Sequence, residues 1–207
     1  MIKRPAFLVA LGIIVATTVQ LAVATFVPGL PQFEGKAFGA RLISYPILMA
    51  VVPVVWFVKN RAHPREAPWG AFALVMTPFL VDVTGNTLDL YDALWWWDDL
   101  NHFVNWMFLM AGLGLLLARI AGRSRPLLIV AITGLGAVLA IAWELSEWYL
   151  FIRHGTEIET AYTDTLSDEA LGTLGGFVAA VLVATLTREP VGAQASSTRI
   201  GAPSRHA

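Results

Sequence analysis

Three short polar clusters carry most of the chemistry this chain could do. Asp98 and His102 stand four residues apart, Glu144 and Glu147 three apart, and Asp164 and Asp168 four apart. On an α-helix each of these spacings puts both side chains on one face. Asp82 and Asn86 form a fourth pair at the same interval, and Asn101 adjoins His102. Oxygen ligands with one imidazole suit Mg²⁺, Mn²⁺ or Zn²⁺ better than copper or haem iron. Asp98, His102, Glu144, Asp164 and Asp168 are therefore the candidate metal ligands. Glu147 is the candidate base or supporting partner, and Asp82, Asn86 and Asn101 are further polar site residues.

Three of the four clusters also have a plainer explanation. Asp98 could cap a helix, with His102 an interfacial histidine. Thr165-x-x-Asp168 resembles a capping box, and acids suit a helix N-terminus. Asp82 and Asn86 could serve loop chemistry around Gly85. Glu144 resists such a reading. It follows a long apolar run with no Lys or Arg within a turn. A carboxylate so placed must protonate, pair or bind a cation.

The elements that must position these residues are membrane helices. Of 207 residues, 57% are hydrophobic and 14% charged, well below the roughly 25% charged of soluble domains. Six apolar segments approach the roughly 20 residues of a crossing: about Ala6–Val27, Leu42–Val58, Trp69–Leu90, Leu100–Ala121, Leu127–Ile152 and Ala170–Thr187. The third is the weakest, because Asp82 interrupts it. The expected fold is all-α: a polytopic bundle of six transmembrane helices over residues 1–187, with a disordered cytoplasmic tail over 188–207 rich in Ser, Ala, Gly and Pro. Residues 1–24 could instead be a cleaved signal peptide, with a basic start and Ala22-Val23-Ala24 as a cleavage site. The glycines of the last three segments, Gly172-x-x-x-Gly176 among them, favour close helix approach.

Orientation follows from the basic residues. With the N-terminus inside, 11 of the 14 Lys and Arg fall on the inner side. Only Lys36, Arg41 and Arg153 fall outside. Of the 15 acids, 13 lie on the outer side or in the outer half of a helix. All four polar clusters then share one depth, and so many carboxylates cannot all ionise unpaired. Trp95-Trp96-Trp97 marks the outer headgroup level. The chain has no cysteine, which excludes disulfides, thiolate zinc sites, iron–sulfur clusters and c-type haem attachment. No nucleotide loop, dinucleotide fingerprint or serine elbow is present, so neither flavin nor nucleotide is expected, and no nucleic acid.

Asp98-x-x-x-His102-Phe103, Trp143-Glu144-Leu-x-Glu147-Trp148 and Asp164-Thr165-x-x-Asp168 together resemble the bacterial inner-membrane family of the YjdF type, itself distantly similar to VanZ-like proteins. The likeness covers about residues 82–186, and the first two helices add little. The resemblance implies a multi-pass protein of the bacterial cytoplasmic membrane, a polar site and a hint of envelope chemistry.

The preferred function is a metal-dependent enzyme acting at the outer face on membrane lipid or a lipid-linked envelope substrate. The alternatives are a proton- or cation-coupled transporter, and a non-catalytic protein with a structural cation site. No arginine cradle for a phosphate is visible in the sequence, which weighs against the first. The inner halves of the helices are almost purely apolar, which weighs against the second. Substrate, metal identity and oligomeric state are not fixed by the sequence.

Overall fold

A computed structural model describes residues 4–119, 124–150, 152–154 and 161–187. Among them the chain is all helix: α1 (Arg4–Phe26), α2 (Phe38–Lys59), α3 (Trp69–Thr87), α4 (Leu90–Ala93), α5 (Trp97–Leu117), α6 (Arg125–Leu150) and α7 (Ala161–Leu186). Short 3₁₀ turns at Pro31–Phe33, Pro64–Glu66 and Ile152–His154 punctuate them. The expected tail over 188–207 lies outside the described residues.

Five of these helices, α1, α2, α5, α6 and α7, are long and apolar enough to cross a membrane. The expected third crossing, α3, falls short of that description. Its last turns carry Asp82, Thr84 and Asn86, and the helix closes at Thr87. The chain then turns through Asp89 at φ 59°, a left-handed conformation that Asp tolerates better than most residues. The one-turn α4 follows and aims Tyr91 back at α3.

Two starts come earlier than the apolar pattern indicates. α2 begins at Phe38 rather than Leu42, behind a left-handed Ala37 whose carbonyl accepts the first amides, those of Ala40 and Arg41. Arg41 therefore rides in the first turn of the helix. α7 begins at Ala161 rather than Ala170. Asp164, Asp168 and Glu169 lower the apparent hydropathy of that stretch without ending its helix, so Thr165-x-x-Asp168 lies inside α7 and is not a capping box at its start.

The helices form two triplets. α1, α2 and α3 pack around Ala10, Ile13, Met49, Phe72 and Met76. α5, α6 and α7 pack around Met110, Ile132, Ala179, Ala180 and Val183. α1 is a full member of its triplet, with Ala10, Thr17 and Leu21 entirely buried; cleavage as a signal peptide would strip that core. Two glycines set how closely the α5 seams can close. At Gly112 an added Cβ would lie 2.7 Å from the Ala71 carbonyl of α3. At Gly175 it would run into the Phe103 carbonyl of α5. Small residues thus let α5 approach both α3 and α7, as membrane packing favours. A third cluster, Leu21, Phe33, Phe38, Tyr45 and Val83, includes Trp143 of α6 at its edge and ties the triplets together.

Candidate functional site

The polar residues meet at one end of the bundle, around a cavity of about 540 Å³. Trp95 and Trp96 are exposed there, while Trp97 turns inward. Its indole sits against Gly85, where a side chain would collide with it, and edge-on to Tyr91.

One wall is centred on His102, whose side chain is 11% exposed. The imidazole comes from the second turn of α5. Its Nε2 lies 3.7 Å from Asp98 Oδ1 on the same helix and 3.7 Å from Asp168 Oδ2 on α7. Its Nδ1 lies 3.7 Å from Glu144 Oε1 on α6. Glu144 and Asp168 are buried. Glu147, one turn beyond Glu144, offers an oxygen to the same group. Within Asp98–His102–Asp168, and again within His102–Glu144–Glu147, the ligand atoms lie within 4.8 Å of one another. A separation of 3.7 Å is too long for a hydrogen bond. It is about that of two ligands around one ion with bonds of about 2.1 Å. His102 Nδ1 and Asp168 Oδ1 are buried and make no hydrogen bond.

The opposite wall is a hydrogen-bonded network around Asp82. Its Oδ2 accepts from Arg41 Nη1 at 2.9 Å and from the Tyr45 hydroxyl at 2.6 Å. Its Oδ1 accepts from the Tyr91 hydroxyl at 2.9 Å, and Asn86 donates to its backbone carbonyl at 3.0 Å. Asn101 donates to the Tyr91 hydroxyl, and Asn105 to Asn101 at 2.8 Å. Burial first, then the charge of Asp82, pushes the Tyr91 phenol well above its ordinary range and keeps it a donor. Arg41 also lies near the rings of Phe38 and Tyr45, with 5.3 and 5.9 Å between guanidinium carbon and ring centre. At the rim, Lys36 pairs with Asp92 at 2.7 Å. That hydrogen bond holds the Asp92 carboxyl below its usual range.

The structure thus brings together residues of all four sequence clusters. Asp98, His102, Glu144, Glu147 and Asp168 converge. Asp164 is exposed and lines the cavity without entering either ligand group. Asp82, Asn86 and Asn101 belong to the facing network rather than to loop chemistry. Asp99 turns aside, accepting from Ser167 of α7 at 2.8 Å.

The sequence reading missed Lys36, Arg41, Tyr45, Tyr91 and Asn105, and it discounted the first two helices. α2 in fact supplies Arg41 and Tyr45. A signal was present. Three basic residues broke the inward bias, and two of them, Lys36 and Arg41, line the cavity. The third, Arg153, stacks on Tyr149 at 3.7 Å.

These features define an all-helical, multi-pass membrane protein with an acidic, histidine-centred cavity at one end. Residues 7–189 match the family described as predicted membrane protein, DUF2238, and the chain belongs to that family. No curated protein and no solved structure matches it.

Proposed function

We propose that this protein is a cation-dependent enzyme of the bacterial cytoplasmic membrane, acting at the outer face on lipid or a lipid-linked envelope substrate. The observation that carries the reading is the convergence of carboxylates from α5, α6 and α7 on the two nitrogens of one nearly buried histidine. His102, Asp98, Glu144 and Asp168 hold divalent metal, Zn²⁺, Mn²⁺ or Mg²⁺, with Asp98 and Asp168 on the Nε2 edge of the ring, Glu144 on the Nδ1 edge and Asp164 close by. Glu147, which faces the cavity, serves as base. A bound ion there would polarise a phosphoryl group or activate water. Arg41, paired with Asp82 on the facing wall, puts one guanidinium at the cavity.

In the membrane, α3 makes the sixth crossing beside the five apolar helices, supported by its packing between α1 and α5. Both termini are cytoplasmic, by the asymmetry of Lys and Arg. The likeness to the YjdF type and to VanZ-like proteins fits this envelope setting. A transporter needs polar groups through its full depth. Below the cavity, the apolar cluster of Met110, Ile132, Ala179 and Val183 fills the α5–α7 triplet instead.

The test compares Glu144→Gln with Asp99→Asn in purified protein. Glutamine keeps the size of glutamate and removes the charge. Glu144→Gln should lower metal occupancy, weakening affinity at its edge of the ring by more than the roughly 10–100-fold typical of ligand-orienting partners. Asp99→Asn, beside the site but turned to Ser167, should leave it nearly unchanged. Equal metal content in both, with a higher melting temperature for Glu144→Gln, would reject the reading. Activity is checked as a change in a bacterial lipid extract that EDTA abolishes.

A further inference from the structure

We propose that His102 bridges two zinc ions, one at each ring nitrogen. This rests on the cation reading above and extends it from one ion to two. The nitrogens of an imidazole point away from each other, so one ion cannot occupy both edges of the ring. Each edge has its own pair of carboxylates. Asp98 Oδ1 and Asp168 Oδ2 flank Nε2, while Glu144 Oε1 stands at Nδ1 and Glu147 joins the group of Glu144 and the ring, with ligand atoms within 4.8 Å of one another.

The orphaned atoms point the same way. Asp168 Oδ1 and His102 Nδ1 are buried without a hydrogen bond, and the Asp168 side chain is only 4% exposed. A carboxylate that merely oriented the ring would accept its N–H within hydrogen-bond reach. Here the Glu144 oxygen stands off from Nδ1 at 3.7 Å, with a Glu147 oxygen within 4.8 Å of it. A second ion satisfies both carboxylates and the nitrogen together.

The proton balance closes, and the site keeps one net negative charge: four carboxylates and the bridging imidazolate set five negative charges against the four positive charges of two divalent ions. The neutral ring has one bare nitrogen, which takes the first ion. The second ion replaces the remaining N–H proton, which leaves through the cavity to water. Zinc binds imidazole well, whereas Mg²⁺ and Mn²⁺ prefer oxygen and do not readily displace a ring proton. Each ion then has three protein ligands, with Glu147 a ligand of the second ion in place of the base, and an open fourth position, the pattern of catalytic rather than structural zinc. The ring holds the ions about 6 Å apart, with Zn–N bonds of about 2.0–2.1 Å. That exceeds the roughly 3.5–4 Å of sites in which two metals clamp one reacting group. Each ion therefore presents its own open position. Asp98, His102 and Glu147 all line the cavity.

The experiment is a zinc count on the full-length chain in detergent, stripped by chelator, reloaded with Zn²⁺ and passed through gel filtration. Two equivalents are expected in the unaltered protein. Asp98→Asn and Glu147→Gln should each retain one, and their combination none. His102→Ala should also retain none; if it fails to fold, the isosteric variants carry the test, with helical content checked by circular dichroism. One equivalent in the unaltered protein overturns the bridge while leaving intact the reading of a cation site at one edge of the ring. None overturns both. Two equivalents in either single variant, or none in either, overturns the assignment of one ion to each edge.

Discussion

Removing Arg41 should expose how strongly the Asp82 network depends on its cation. The guanidinium and carboxylate lie 2.9 Å apart, and each side chain is 16% exposed. Coulomb's law at an effective dielectric constant of about 20 gives roughly 6 kcal/mol of gross attraction at that distance. Desolvation cancels much of this in the net, yet stripping one partner from a buried pair typically costs about 3–5 kcal/mol. Asp82 keeps its donors Tyr45, Tyr91 and Asn86, which places Arg41→Gln near the lower end, at about 3 kcal/mol. Asp82→Asn should cost a similar amount, because the amide presents a donor where donors already converge. The double variant should cost about 2 kcal/mol less than the sum of the two, since contacting residues couple by roughly 0.5–3 kcal/mol. The assay is reversible unfolding in mixed micelles, followed by circular dichroism, over the full cycle. Additivity within about 0.5 kcal/mol, the behaviour of independent sites, would refute the claim that the two charges form one unit.

Three further outcomes are expected. Gly175→Val should destabilise the protein by about 1–3 kcal/mol, the range of overpacking, because its side chain runs into the Phe103 carbonyl; unchanged melting would show that the α5–α7 seam has slack. Lys36→Met should return the Asp92 carboxyl upward to the ordinary range, read by carbon NMR of labelled aspartate. With Lys36 present, the depressed carboxyl contributes its stability above the ordinary carboxylate pKa and loses it as pH falls through the lowered value. Reporter fusions after Lys59 and Arg188 should read cytoplasmic, and a fusion within residues 155–162 periplasmic; a periplasmic signal after Arg188 would overturn the orientation.

The clusters themselves were legible, and the reasons are periodic. Intervals of three and four residues fixed which acids share a helix face, and the basic asymmetry, which ignores acids, set the clusters at one depth. Glu144 was readable because nothing nearby in sequence could neutralise it. The facing wall was not. Arg41 lies just outside the apolar run Leu42–Val58, so hydropathy alone places it in a loop, although the helix begins three residues before it. Tyr91 needs the left-handed turn at Asp89 to be aimed inward, and no pattern of hydropathy encodes that turn. The early start of α7 was hidden for the opposite reason. Its acids suppressed the apolar signal over a stretch that is nevertheless helical.

The two ion pairs at the N-terminal end of α2 also respond differently to the surrounding electrolyte. Lys36 and Asp92 are 25% and 60% exposed, whereas Arg41 and Asp82 are both 16% exposed. Mobile ions at physiological strength screen open charges over about 8 Å and act far less on shielded ones. Rising salt should therefore release the rim pair first, while the Arg41–Asp82 pair still anchors the first turn of α2. In brackish or concentrated media the mouth of the cavity would lose its outer clasp and keep its inner one.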